Sequence, residues 1–493
     1  MLLLVVPLVA CGPSAGDLSG SSTVDAGETS TGEPRTTDAA PITTGDGTTV
    51  DEPHTSDAPS THGTTTDDPT TGGSPGACDV AEGDHVAVCR GPGCPIALDL
   101  EIRCHDRDFA SRGMSVAPTP DATWLATGSY FTPMLFRADA GGAESIPGVV
   151  DAYTDTTLLM AQGPDGAPHL AVDAVGDIGP GGELRHLALV DGAWTDDVMI
   201  AVDHLLWLVD VDVDSQGRPH AFFYESGAED YSVAVLDEGT WTTHSLPAPG
   251  PWVHFVLGPD DEEIALTAPD QQLQAFIGDQ TVALGSPLPQ YDVQYQAATG
   301  APGPSLAVAL QLGDELELAW WPDPAAVAVP GTPAVGNACN GTGADGPDDT
   351  CPGPCHDGAV GMFPDAFSFT RTADGVGWLA WIITHRDRDA HYQLTELEGD
   401  YFCQSIVDSD DSFGTLHLAR VAFAGPPVDV LTLPVSDVAG DLYEDGYTNR
   451  RSPVVLTAFG TDLALALRLL DDGPPEQEFP YARVLRIDTT MLP

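Results

Sequence analysis

Two histidines occupy matching places in short turns and are the first candidates for chemistry. His169 closes Asp165-Gly166-Ala167-Pro168-His169, and His220 closes Ser215-Gln216-Gly217-Arg218-Pro219-His220, with Asp214 just before it. An imidazole near neutral pH can act as general base or metal ligand. Repetition argues for a different job. A catalytic centre needs one such group, whereas a repeated fold needs a ring in every copy to hydrogen-bond a neighbouring turn. Acidic clusters are the second candidates. Asp345, Asp348 and Asp349 lie with Gly343 and Gly346 in a loop whose oxygens suit Ca2+. Their spacing does not follow a twelve-residue calcium loop, and a solvated acidic loop is the simpler reading. Asp210, Asp212 and Asp214 form a similar group, as do Asp408, Asp410 and Asp411. Cys351, Cys355 and His356 could form a ligand cluster, but no Cys-x-x-Cys pair accompanies them.

Absences narrow the chemistry further. All 17 basic residues are arginine, so no lysine can reach a phosphate, form a Schiff base or serve a kinase fold. His385-Arg386-Asp387-Arg388-Asp389 therefore reads as a charged hairpin tip. A formal charge of −58 disfavours nucleic acid and anionic lipid surfaces as partners. Neither a Gly-x-Ser-x-Gly elbow nor a His-Glu-x-x-His helix occurs. Ile102-Arg103-Cys104 is the nearest approach to the Arg-Ile-Pro segment of sialidases, without the proline, and the sialidase turn motif is missing. Trp124, Trp194, Trp241 and Trp378 fit packing between repeats better than a carbohydrate platform.

The first 77 residues carry an address and a spacer. Residues 1–10 are a short apolar run, too short to span a bilayer, and read as a signal peptide cleaved before Cys11. Leu8-Val9-Ala10-Cys11 resembles the lipobox of bacterial lipoproteins, although no Lys or Arg precedes the run. That resemblance implies an acylated Cys11 and a membrane anchor. It also implies the cell envelope, at the outer membrane or cell surface, since Gly12 rather than Asp follows. Residues 11–77 hold 16 threonines, many Gly, Pro and Asp, and no aromatic residue. Such a segment cannot bury enough apolar surface to order itself and reads as a disordered stalk. The remaining eight cysteines fall in two groups: Cys78, Cys89, Cys94 and Cys104, then Cys339, Cys351, Cys355 and Cys403. In an exported chain they read as disulfides. Spacing leaves the connectivity open, with pairing inside each group expected.

From residue 112 onward the chain alternates short apolar runs with Asp/Gly/Pro turns, the all-β pattern. One large residue follows each turn, at positions 124, 169, 220, 264, 306, 378, 428 and 463, and most steps match the ~40–50 residues of a four-stranded blade. A Cys-rich insertion at 330–362 accounts for the long step before Trp378. These turns resemble those of exported bacterial β-propellers carrying Asp-x-Gly-x-Pro-His. The resemblance implies an all-β propeller over 78–493, with seven four-stranded blades, eight remaining compatible. Val454–Phe459, Leu463–Leu469 and Tyr481–Ile487 read as strands of the last blade, with Ile96–Ile102 as the fourth, closing the ring. The expected function is a lipid-anchored binding module for a protein or glycan partner. The alternative is a calcium-dependent hydrolase or lyase with its site in the central channel.

Overall fold

The computed structural model describes residues 78–492 apart from short segments, the longest being 285–292, 329–338, 439–451 and 471–478. Cys11, the stalk, and Asp345, Asp348 and Asp349 lie outside the described residues.

The described chain is almost entirely strand and forms eight antiparallel sheets. Seven of them are blades of one ring. Their innermost strands are Met114–Pro118, Thr157–Gln162, Leu206–Val213, His254–Leu257, Val293–Thr299, Val360–Arg371 and Val454–Phe459. Each packs against the next, and the seventh packs against the first, so the circle closes. The apolar core is divided the same way. Trp124 and Leu135 of blade 1 meet Leu170 and Leu187 of blade 2. Equivalent clusters lie at every other junction, ending with Ala464 and Val484 of blade 7 against Val116 and Leu125 of blade 1. A lone sheet cannot cover its own two apolar faces, and radial stacking lets each neighbour do so. Burial along a blade follows. The second strand of blade 6, Gly377–His385, is sandwiched by blades on both sides and reads as a nearly continuous apolar run. The outermost strand of blade 2, Ala193–Val202, is mostly exposed.

Blade 7 joins the chain ends. Ile96–Arg103 pairs with Pro480–Asp488, and Asp79–Glu82 adds a fifth strand outside it. A buried bidentate ion pair locks this seam: the Arg483 guanidinium donates to both Asp99 oxygens at 2.9 and 2.8 Å. The Cys78–Cys104 disulfide fastens the outer strand.

The eighth sheet is not a blade. A hairpin, Arg388–Leu397 and Asp400–Asp410, rises between the second and third strands of blade 6 and pairs with Thr342–Ala344 and Cys355–Asp357. The Cys-rich insertion is thus half of a small lobe whose other half is the later hairpin, and Cys339–Cys355 and Cys351–Cys403 staple it. Cys89 pairs with Cys94, so all four bonds stay inside the two cysteine groups. His385 to Asp389 sit at the root of this hairpin rather than its tip.

Candidate functional site: the central channel

The repeated turn positions the channel wall. In blades 2, 3, 4 and 6 the inner strand ends in a five-residue turn with the same two backbone bonds. Gly163 N–H donates to Ala167 O and Gly166 N–H to Gly163 O; the counterparts start at Asp214, Gly258 and Thr372. The fourth residue of each turn has positive φ: Gly166 at 83°, Gly217 at 80°, Asp261 at 62° and Gly375 at 83°. Glycine takes that conformation without steric cost, which is why the motif carries it in three of the four. Asp165 and Asp214 are not equivalent, however. Asp165 is the third turn residue and accepts from Ala167 N–H. Asp214 is the first, and accepts from Gln216 and Arg218 N–H and from the Arg218 side chain.

The two histidines are equivalent in position and differ in partners. His169 stacks on His186 in the same blade, with nitrogens 3.0 Å apart. Burial, and then the neighbouring ring, push the His186 pKa down to about 3. Trp241 of blade 3 packs edge-on against it. His220 crosses to the next blade: Nδ1 lies 3.1 Å from Glu263 and Nε2 3.5 Å from Asp214. His244 takes the other Glu263 oxygen at 2.7 Å. Burial opposes ionisation of Glu263, yet its two histidine partners hold the pKa below the usual carboxylate value. Trp194 packs at 85° on Trp124 across the junction of blades 1 and 2.

The seven inner strands enclose a channel with a cavity of about 380 Å3. Polar side chains in and beside its wall bond the backbone of an adjacent blade at every junction. Ser115 exchanges hydrogen bonds with Met160. Asp173 accepts from Leu208 N–H, and Asp212 from Leu257 N–H. Thr299 donates to Leu257 O, and Gln296 bridges Phe367 O and Phe369 N–H. Ser368 accepts from Leu456 N–H, and Thr457 donates to Val116 O. Together these bonds run once around the ring.

Most of the titratable groups lining the channel lie on blades 3 and 4. Asp210 and Asp212 alternate along the inner strand of blade 3, so both face the channel, and His254 of blade 4 sits 3.0 Å from Asp210. Burial works against charging the His254 ring. The Asp210 hydrogen bond and charge, the Ala297 carbonyl of blade 5 and Asp212 outweigh it, and its pKa is raised. Burial, with the Asp210 charge adding to it, pushes Asp212 up to about 6, despite the Leu257 and Val213 amides that favour its charged form. Arg371 ends the inner strand of blade 6, where burial lowers its pKa.

The sequence marks Asp210, Asp212 and Asp214 as one acidic group, a solvated loop before a cation site. The strand splits the trio between channel and turn. Among the described residues no group of three or more His, Cys, Asp or Glu is arranged to hold a metal ion. Asp408 instead bonds His391 at 2.7 Å, and His356 bonds Asp389 at 3.0 Å. His254, Gln296 and Arg371 carried no motif.

Comparison with protein families and with curated proteins finds no match in sequence. Solved structures with related shapes include the WD40 domain of SCAP from fission yeast, at 8% identity and TM-score 0.35 over 80% of this chain and 88% of that one. Polysaccharide lyase Uly1 gives 11% and 0.34, covering 76% and 89%. The α-L-arabinofuranosidase Arb93A from Fusarium graminearum gives 9% and 0.33, covering 76% and 92%. At these TM-scores the likeness carries no argument, and the propeller assignment rests on the strand pairing and the closed ring of inner strands.

Proposed function

We propose that the chain is a lipid-tethered binding module of the cell envelope, holding a protein or glycan partner on a rigid ring. The observation that carries this reading is the engagement of the channel's polar groups. Ser115, Ser368, Thr299 and Thr457 bond backbone of an adjacent blade. The His254 ring is held between Asp210 and the Ala297 carbonyl. A hydroxyl nucleophile needs a free base within reach. His254 is braced by a carboxylate and a carbonyl instead. Four disulfides and the lipobox at Cys11 support an oxidising, extracytoplasmic setting.

One observation favours a second reading, a hydrolase or lyase acting in the channel. Asp212 titrates near 6 beside Asp210, a pairing that suits a general acid.

Both readings are tested with the full chain on liposomes. Saturable retention of an envelope protein or glycan at about micromolar affinity supports the module. Turnover of a polysaccharide panel that is abolished by Asp212→Asn replaces it with the enzyme. Labelling with radioactive palmitate, lost in Cys11→Ser, tests the anchor.

A further inference from the structure

Away from the channel, a groove of about 470 Å3 opens between blades 1 and 2 on the side of the repeated turns. We propose that this groove binds a neutral glycan. The inference rests on the binding-module reading and adds a place and a ligand class to it.

The walls have the chemistry for a sugar. Trp194 lines the groove half-buried, and its perpendicular contact with Trp124, itself 5% exposed, fixes the ring in place. A rigid indole offers apolar surface to the C–H face of a pyranose at little entropic cost. The rim supplies hydrogen bonding of both signs. Asp121, Glu144 and Asp165 are carboxylate acceptors, and the Asp121 and Glu144 side chains are 77% and 66% exposed. Arg137 lies among them, 2.6 Å from Asp139, 3.4 Å from Asp121 and 3.8 Å from Glu144. Adjacent sugar hydroxyls can donate to a carboxylate and accept from the guanidinium at once. The backbone holds these groups at fixed spacing: Asp121 and Asp165 sit on the two turns, Arg137 and Glu144 on neighbouring strands of blade 1. The volume falls within the range of small-molecule sites.

Charge selects the class. Lining carboxylates outnumber the single guanidinium, in a protein of net charge −58, so uronates, phosphates and acidic peptides are repelled. A quaternary ammonium would suit tryptophan and carboxylates, but it would meet Arg137, which already engages those carboxylates. A neutral polyol meets neither penalty.

The test uses the full chain with disulfides intact and four probes: maltotriose, cellotriose, mannotriose and galactotriose. Intrinsic tryptophan fluorescence and calorimetry read binding. At least one probe is expected to bind and perturb the emission. Trp194→Ala and Asp121→Ala should each weaken it about tenfold or more; the second change is at an exposed side chain and leaves the core alone. Tri-galacturonate and tetramethylammonium should not compete. The proposal is overturned if none of the four binds below about 10 mM. Unchanged affinity in both variants, or displacement by tetramethylammonium, overturns it as well. Retention of an envelope partner alongside any of these results leaves the module reading standing and removes only this site.

Discussion

Asp212 gives the most direct handle on the channel. Its carboxyl titrates at about 6 in the folded chain, about two units above an unperturbed Asp. The folded state therefore holds this proton more tightly than the unfolded state does. Stability from this group rises as pH falls from about 7 towards about 4, and is lost as pH rises through about 6. At about 1.4 kcal/mol per unit, full ionisation in the fold costs about 3 kcal/mol. Asn at this position cannot ionise and escapes that cost. Its amide oxygen can still accept from Leu257 N–H, and any other change in bonding or packing, about 1 kcal/mol, is the same at every pH. Comparing two pH values cancels the second effect. Urea unfolding of wild type and Asp212→Asn, disulfides intact, should show the variant gaining about 2 kcal/mol relative to wild type between about pH 4.5 and about pH 7.5. A stability difference that stays flat across that range refutes the account of Asp212 as a carboxyl whose charge is opposed by burial.

Other outcomes follow from the same structure. Asp210→Asn removes the main support for the charged His254 ring, so the His254 pKa should fall in an NMR titration; an unmoved value contradicts the pairing. Asp99→Ala leaves the buried Arg483 uncompensated and should cost about 3–5 kcal/mol, with hydrogen exchange rising first in Pro480–Asp488. Gly217→Ala places a side chain at φ 80° in open space and should cost about 1 kcal/mol by thermal unfolding. Gly166→Ala should cost more, because its new Cβ would lie 2.8 Å from Phe459. Cys351→Ser with Cys403→Ser should expose the 388–410 hairpin to limited proteolysis while the ring stays intact.

Turn chemistry made the ring readable in advance. Trp124, His169, His220, Ile264, Trp378 and Leu463 each fall at the second residue of a blade's second strand, and Leu306 at the first. A Gly or Asp forced to positive φ leaves a compositional mark, and the large residue after it enters the junction core. Val428 misled for a physical reason. It opens the outermost strand of blade 6, after a Gly-Pro-Pro sequence of similar composition. The hairpin inserted ahead of it stretched that blade to the length of nearly two, which made an eighth repeat plausible. The channel was far less legible. Asp210 and His254 come from separate inner strands and meet only through register around the ring. Once the turns are located, the signal is positional: Ser115, Asp210, His254, Gln296 and Ser368 all stand three residues before the end of their strands. The groove at blades 1 and 2 was half visible, since Trp124 and Trp194 were read as packing, which they are. Arg137 and Glu144 carried no spacing that would link them to Asp165.

The partners in the closing seam, Asp99 and Arg483, lie 384 positions apart. During synthesis the ribosome therefore delivers one half of the clasp long before the other exists. A nascent or truncated polypeptide that stops short of its final strand leaves the inward edge of Ile96–Arg103 without its partner and an open gap in the circle. A completion check is thereby written into the architecture: quality-control proteases would meet an open circle on every unfinished copy and a closed one on every finished copy.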